Sequence, residues 1–219
     1  MFMDDSERAA AMTHEHGIDT GLHLNLTTPF SAKQCSSRLR ESHERLARYL
    51  LRHRFTQVLF HPGLTKPFDY VVKMQLDEYN RLYGEAPARI DGHHHMHLCA
   101  NVLVQGLLPQ HTIVRRNFSF EMEEKSLGNR LYRQWIDSRL ERRHRVSDYF
   151  FSLAPITPHK RLDRIFSLSR NFVVEVETHP VNHDEYSFLR EAVGAHLIER
   201  DVIVHPFAVV TAQLSSEGI

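Results

Sequence analysis

Helix-like and strand-like segments alternate along this chain, and the alternation limits the folds open to it. Apolar strands separated by amphipathic helices favour a mainly parallel β/α architecture, because parallel neighbours need a crossover connection. The predicted strands are 19–26, 57–60, 88–95, 111–116, 148–153, 172–178 and 201–205. The predicted helices are 4–15, 37–53, 68–83, 99–107, 123–144, 159–168 and 184–198.

The third helix has the clearest pattern. It carries an apolar stripe and is expected to end at Gly84, with Pro87 just beyond, as a helix packed on a sheet before a turn does. The stripe consists of Val72, Leu76, Tyr79 and Tyr83.

Length and composition fit one globular domain spanning 1–219. The chain has 219 residues, 42% of them hydrophobic, which is enough for a core. Lys plus Arg and Asp plus Glu both number 27, so the net charge of zero favours neither a nucleic acid nor a membrane surface as default partner. We see no apolar stretch long enough to span a membrane.

The cysteines predict a reducing environment. Cys35 and Cys99 lie far apart, and no secretory signal is visible, so we expect free thiols and a cytoplasmic protein.

The histidines suggest a metal site. In the run Asp91-Gly92-His93-His94-His95-Met96-His97, a continuing strand would turn Asp91, His93, His95 and His97 to one face. A second histidine, His23, lies 70 residues before His93 in another predicted strand. Most histidines outside the motifs are expected at the surface; they include His14, His16, His43, His53 and His144.

Three segments carry a family resemblance. They are Gly21-Leu22-His23-Leu24-Asn25-Leu26-Thr27, Pro87 to His97, and Glu175-Val176-Glu177-Thr178-His179-Pro180. In order and spacing they resemble the successive motifs of the YdjC-like carbohydrate deacetylases, the family of chito-oligosaccharide deacetylase. The resemblance implies a distorted (β/α) barrel of the TIM-like deacetylase type. It also implies metal-dependent removal of acetyl groups from N-acetylated sugars or oligosaccharides.

The resemblance assigns roles to individual residues. The family's two metal histidines fall on His23 and His93, which would hold a divalent ion, Mg or Zn. Such an ion polarises an amide carbonyl and lowers the pKa of a bound water. His179 is the candidate for the general acid or for oxyanion support. The alternatives are a hydrogen-bonded core histidine at His23 and, at His179, a residue that merely ends a strand.

Two arginines follow the strand-like segment 112–114. We expect Arg115 or Arg116 to contact a sugar hydroxyl or an acidic group, and a surface ion pair is the alternative. The expected partner is an N-acetylated oligosaccharide or a glycolipid sugar.

The chain also departs from the family pattern. The family's Asn-Ala-Asp-Asp-Phe-Gly motif is absent, and Asp4-Asp5 leads into a helix, so neither aspartate is assigned a catalytic role. We therefore expect a barrel that is incomplete at its N-terminus, with an edge that a second copy of the chain would cover. Either the gene start lies at an internal methionine, or this is a truncated relative with impaired activity.

Two other functions stay open. A non-catalytic relative that binds sugar or protein is favoured by the absent aspartates. An amidohydrolase-type hydrolase would need further strand-end ligands, for which only His205 and Asp184 are faint candidates.

Overall fold

The computed structural model describes residues 1–120, 124–157 and 159–194. Their contacts group into two compact units, one of residues 1–115 and 139–145, the other of 116–138 and 146 onward. In chain order the elements are α1 (Ser6–His16), β1 (Leu22–Leu24), α2 (Ser37–Arg52), a 3-10 turn (Pro62–Leu64), α3 (Thr65–Tyr83), β2 (Arg89–Gly92), a second 3-10 turn (His93–Leu98), α4 (Ala100–Gln105), β3 (Ile113–Val114), α5 (Leu127–Glu141), β4 (Tyr149–Ser152), α6 (Lys160–Ser169), β5 (Val174–Glu177), α7 (His183–Ser187) and a π-helical turn (Phe188–Ala192).

The first unit is built on a three-stranded parallel sheet in the order β1-β2-β3. This confirms the parallel β/α expectation for the described part of the chain. Leu22 and Leu24 are fully buried, while His23 between them is exposed. Because alternate side chains of a strand point to opposite faces, the leucines that fix β1 in the core also turn His23 away from it.

Helix α3 packs beside this sheet and α2 packs against α3, and the ends of both helices follow from local chemistry. The Ser36 hydroxyl accepts a hydrogen bond from the Leu39 amide and caps α2. The predicted end of α3 is confirmed: the helix stops at Tyr83, and Gly84 adopts the left-handed φ of 76° that glycine allows.

A buried glutamine fastens α3 to the segment that follows β1. Gln75 is fully buried, and its side chain accepts from the Asn25 amide at 2.9 Å and donates to the Asn25 carbonyl at 2.8 Å. The Gln75 side chain thus satisfies the backbone amide and carbonyl of Asn25 where the chain leaves β1, a role that a neighbouring strand would otherwise fill.

The second unit contains a two-stranded parallel sheet of β4 and β5. A small apolar cluster packs beside it and includes residues of α6 and of the π-helical turn. Its buried members are Leu153, Leu162, Phe166 and Phe188.

Several expectations need correction. Residues 57–60 form turns and not a strand, because the Thr56 amide and hydroxyl bind the His53 carbonyl and the hydroxyl also reaches the Leu50 carbonyl at the end of α2. The described residues form only the three- and two-stranded sheets, so no closed barrel is seen among them. The predicted strand 201–205 and the end of the last predicted helix lie outside the described residues. One domain spanning 1–219 stays a prediction.

The expectation about the cysteines is confirmed. Cys35 and Cys99 are buried and free, and burial raises the pKa of the Cys99 thiol to about 12. In the part of the chain that the structure describes, no helix combines the length and the apolarity needed to cross a membrane.

His43 was expected at the surface and is instead buried in α2, with its ring 4.1 Å from that of Phe30. It continues the buried stripe of Leu39, Leu46 and Leu50, so helical spacing could have revealed it. Burial lowers its pKa to about 4, although a hydrogen bond with the Asn25 backbone opposes the shift.

This burial predicts acid sensitivity. A histidine in the unfolded chain has a pKa near 6.5, whereas the pKa of His43 in the folded protein is about 4. Protonation between these two pH values therefore favours the unfolded state. Stability should therefore fall as the pH drops through this window, to which buried His97 also contributes. In thermal melts, His43→Leu should make the melting temperature fall less steeply with acidification. The exposed-site control His16→Leu should keep the wild-type slope; an unchanged slope in His43→Leu would contradict the assignment.

Candidate metal centre

Polar side chains gather where the three parallel strands of the first unit end. His23 on β1 and Asp91 on β2 are direct register partners, and Arg115 follows β3. Parallel strands bring their carboxyl ends to one edge of a sheet, so residues far apart in sequence meet there.

Asp91 is the central member of this group. Its Oδ1 accepts a hydrogen bond from His23 Nδ1 at 2.8 Å, and its Oδ2 pairs with Arg115 Nη1 at 2.6 Å. Burial by itself raises the pKa of Asp91, but the His23 hydrogen bond and the Arg115 charge outweigh it and hold the pKa below its ordinary value. Because a carboxylate only accepts, His23 donates the proton on its Nδ1 to Asp91, and the neutral form of this imidazole carries its lone pair on Nε2.

His93 approaches that lone pair. Its Nδ1 lies 3.5 Å from His23 Nε2, and the two rings stand nearly perpendicular at 79°. Burial lowers the pKa of His93, and the nearby His94 and His23 lower it further. His93 is therefore neutral at pH 7, the state in which imidazole binds metals.

The segment after His93 differs from the prediction. The strand ends at Gly92, and His94 and His95 take left-handed φ values of 53° and 57°. The expected alternation of residues 91–97 on one strand face is therefore wrong. The turn instead sends His94 to the Thr27 hydroxyl, at 3.3 Å, and His97 into the interior.

His97 holds the backbone of Arg115 in place from the interior of the protein. It is fully buried, and its Nε2 donates to the Arg115 carbonyl at 2.8 Å. Burial lowers its pKa to about 4, so it stays neutral although Asp91 is close. A neutral His97 fixes the backbone of the residue whose side chain holds Asp91.

The two imidazole nitrogens are spaced as two ligands of one metal ion would be. Two ligands that are each 2.1 Å from a tetrahedral ion lie about 3.4 Å apart, close to the 3.5 Å between the two imidazole nitrogens. Within the described ranges, no three or more His, Cys, Asp or Glu residues form a complete metal cluster. The two imidazoles could supply two of the four ligands of a tetrahedral ion. Asp91 accepts the Nδ1 proton of His23, as carboxylates commonly do for histidines that bind zinc.

The two predicted sugar-binding arginines differ in their surroundings. Arg115 lies in the centre, where its guanidinium pairs with Asp91. Arg116 belongs to the second unit, where it pairs with Asp137 at 3.0 Å and donates to the carbonyls of Ser147 and Asp148.

His179 lies in the second unit, after β5, with its side chain largely exposed. Its backbone amide donates to Glu185 Oε2 at 2.7 Å, and its Nδ1 lies 3.9 Å from Oε1 of the same buried carboxylate. Sequence reasoning missed Glu185. The signal available was its place in the first turn of α7, three residues after the capping Asn182.

The acidic pair near the start of the chain leads into a helix, as the sequence predicts. Asp5 directly precedes α1 and forms an exposed ion pair with Arg8 at 3.0 Å, while the Asp4 amide donates to the Ser31 hydroxyl.

Comparison with protein-family models gives a match over most of the chain. The sequence model of the YdjC-like protein family matches residues 1–207, a range that includes every residue of the centre described above. No curated protein matches the chain.

Gly92 is the tightest point of the centre. A Cβ there would lie 2.8 Å from His97 Nδ1 and 2.9 Å from the His97 Cβ and backbone nitrogen. Gly92→Ala should therefore lower the free energy of unfolding by about 1–3 kcal/mol in urea titrations. Gly128→Ala is the control, because a Cβ there meets nothing within 4 Å. Equal stability of Gly92→Ala and wild type would refute this packing.

Proposed function

Because the chain belongs to the YdjC-like protein family, whose members are generally related to carbohydrate deacetylases, we propose that it is a metal-dependent carbohydrate deacetylase. The observation that carries the proposal is the convergence of His23 Nε2 and His93 Nδ1 to 3.5 Å at the ends of two parallel strands. The substrate would be an N-acetylated oligosaccharide or a glycolipid sugar.

In this proposal His23 and His93 bind the ion. A bound divalent ion would polarise the acetamide carbonyl and make a water more acidic. Imidazole is a good ligand for zinc, whereas magnesium prefers carboxylate and carbonyl oxygens, so the donor set favours zinc over magnesium.

Asp91 and Arg115 act by positioning. The Asp91 carboxylate keeps the His23 proton on Nδ1 and so leaves Nε2 as donor to the ion. The Arg115 guanidinium keeps Asp91 ionised. Arg115 also remains the candidate for a sugar contact, whereas Arg116, held by Asp137 and two carbonyls, is assigned a structural role.

His179 is proposed as the general acid. Amide hydrolysis needs a proton for the leaving amine, and a histidine positioned beside that amine can supply one as a general acid. The Nδ1 of His179 faces Glu185, so Nε2 is the atom that would deliver the proton. The buried carboxylate would orient the ring as a carboxylate orients the base of a catalytic triad.

The proposal also includes the fold and the cellular location of the protein. The parallel strands and the family membership support the distorted (β/α) barrel as the proposed fold. The free thiols support a cytoplasmic location.

A non-catalytic, sugar-binding relative is the second candidate. One observation favours it: the carboxylate of the described centre, Asp91, is held through one oxygen by His23 and through the other by Arg115. A carboxylate occupied in this way is poorly placed to act as the base for an attacking water.

Metal binding tests the centre without a substrate. Calorimetric titration with Zn²⁺ should give about one ion per chain, and His23→Ala and His93→Ala should each abolish it. Asp91→Asn should weaken binding by about 10–100-fold, since it removes the orienting carboxylate. His14→Ala, at an exposed site on α1, serves as the control. Tight zinc binding that survives both alanine variants would place the metal elsewhere.

Acetate release separates the two functions. The zinc-loaded chain should release acetate from N-acetylglucosamine oligomers, and His179→Ala should lower kcat by about 10²–10⁴-fold with little change in zinc affinity. His183→Ala is the matched control on the neighbouring helix. Binding of the oligomers without acetate release would support the non-catalytic relative; full activity of His179→Ala would remove its assigned role.

A further inference from the structure

The net charge of zero conceals one strongly basic segment. Residues 45–68 contain five Lys or Arg residues and no Asp or Glu. All five cations are exposed, and none forms an ion pair with another described residue. They are Arg45, Arg48, Arg52, Arg54 and Lys66.

The same segment exposes large apolar side chains. Residues 51–63, here called the 51–63 loop, run from the last residues of α2 into the first 3-10 turn. Five of its apolar side chains are between 39% and 58% exposed, although scattered single residues are what a protein surface usually shows. They are Leu51, Phe55, Val58, Leu59 and Phe60.

Hydrogen bonds to the rest of the protein hold the backbone of the 51–63 loop in the conformation that exposes these side chains. The Tyr49 hydroxyl donates to the Leu59 carbonyl at 2.8 Å, and the Ala100 amide donates to the Gln57 carbonyl at 2.8 Å. The buried side chain of Asn101 accepts from the His61 amide and donates to the His61 carbonyl. The loop therefore holds its apolar side chains outward while these backbone groups are already paired inside the protein.

We infer that the 51–63 loop docks on an anionic phospholipid surface. Apolar side chains that insert between acyl chains, ringed by cations that meet lipid phosphates, are the components of an interfacial anchor. The arginines suit this position because their aliphatic stems tolerate the interface while the guanidinium reaches the headgroups. Paired carbonyls at Gln57, Leu59 and His61 lower the cost of leaving water.

A second copy of the chain fits this surface poorly. A twofold interface places the same patch of both copies face to face, so five cations would meet five cations with no carboxylate in the segment to offset them. Nucleic acid would satisfy the cations. It offers no counterpart for the exposed aliphatic chains of Leu51, Val58 and Leu59.

Vesicle flotation tests the inference on the full chain without added metal. The chain should float with vesicles of phosphatidylcholine mixed with phosphatidylglycerol, but not with phosphatidylcholine alone, and salt should weaken binding. The double variant Arg52→Gln/Arg54→Gln should lower the partition coefficient by about 25-fold, and Leu59→Ser/Phe60→Ser by more than about tenfold. Ile18→Ser and Lys33→Gln, exposed sites of the same unit, should bind like wild type. Circular dichroism would verify that each variant is folded.

Other outcomes would overturn the inference. Equal flotation with both vesicle types, no flotation, or wild-type flotation of both double variants would each reject a lipid surface. Light scattering that shows a dimer dissociated by Leu59→Ser/Phe60→Ser, without vesicle binding, would assign the loop to a second copy. Binding to an oligonucleotide alone would assign it to nucleic acid. Because the assay uses neither zinc nor sugar, its failure leaves the deacetylase proposal untouched.

Discussion

The candidate metal centre depends on one carboxylate. Asp91 lies on the middle strand of the three-stranded sheet and joins His23 of one neighbour to Arg115 beyond the other. Burial alone would favour a neutral Asp91, and its ionised form survives because both oxygens meet donors. The same ionisation sets the His23 tautomer. The protonation state of Asp91 thus decides whether His23 Nε2 is available to an ion.

The apolar side of the sheet makes this polar cluster possible. Leu22, Leu24 and Ile90 are almost completely buried, and they fix β1 and β2 so that His23 and Asp91 must share the opposite face. A one-residue slip of β1 would bury His23 and expose the leucines. Gln75 opposes such a slip, because its amide binds both backbone groups of Asn25 directly after the strand.

The sequence predicts regular elements better than the turns between them. Alternating segments correctly predict parallel strands, and the glycine after Tyr83 correctly predicts the end of α3. The histidine run is predicted as a continuing strand because its residues alternate, yet Gly92 allows His97 to pack against the strand end and the chain turns there. The meeting of His23 with His93 follows from strand order. The contact between Asp91 and Arg115 depends on the register of β3, which is only two residues long and carries little pattern.

The 51–63 loop and the basic segment 45–68 around it show a second limit of sequence reasoning. A net charge summed over the chain hides an excess of positive charge in one segment. Acidic residues elsewhere in the chain offset the cations of 45–68. The net charge of zero therefore gives no reason to expect an anionic partner, whereas the charge of this segment favours one. The segment 57–60 reads as a buried strand from its apolar residues, and side-chain hydrogen bonds at Thr56 and Asn101 hold it as an exposed turn instead. The two substrate classes of the proposed deacetylase are then no longer equivalent. A chain that docks on lipid meets glycolipid sugars at the surface where it binds, whereas a soluble oligosaccharide gains nothing from that docking.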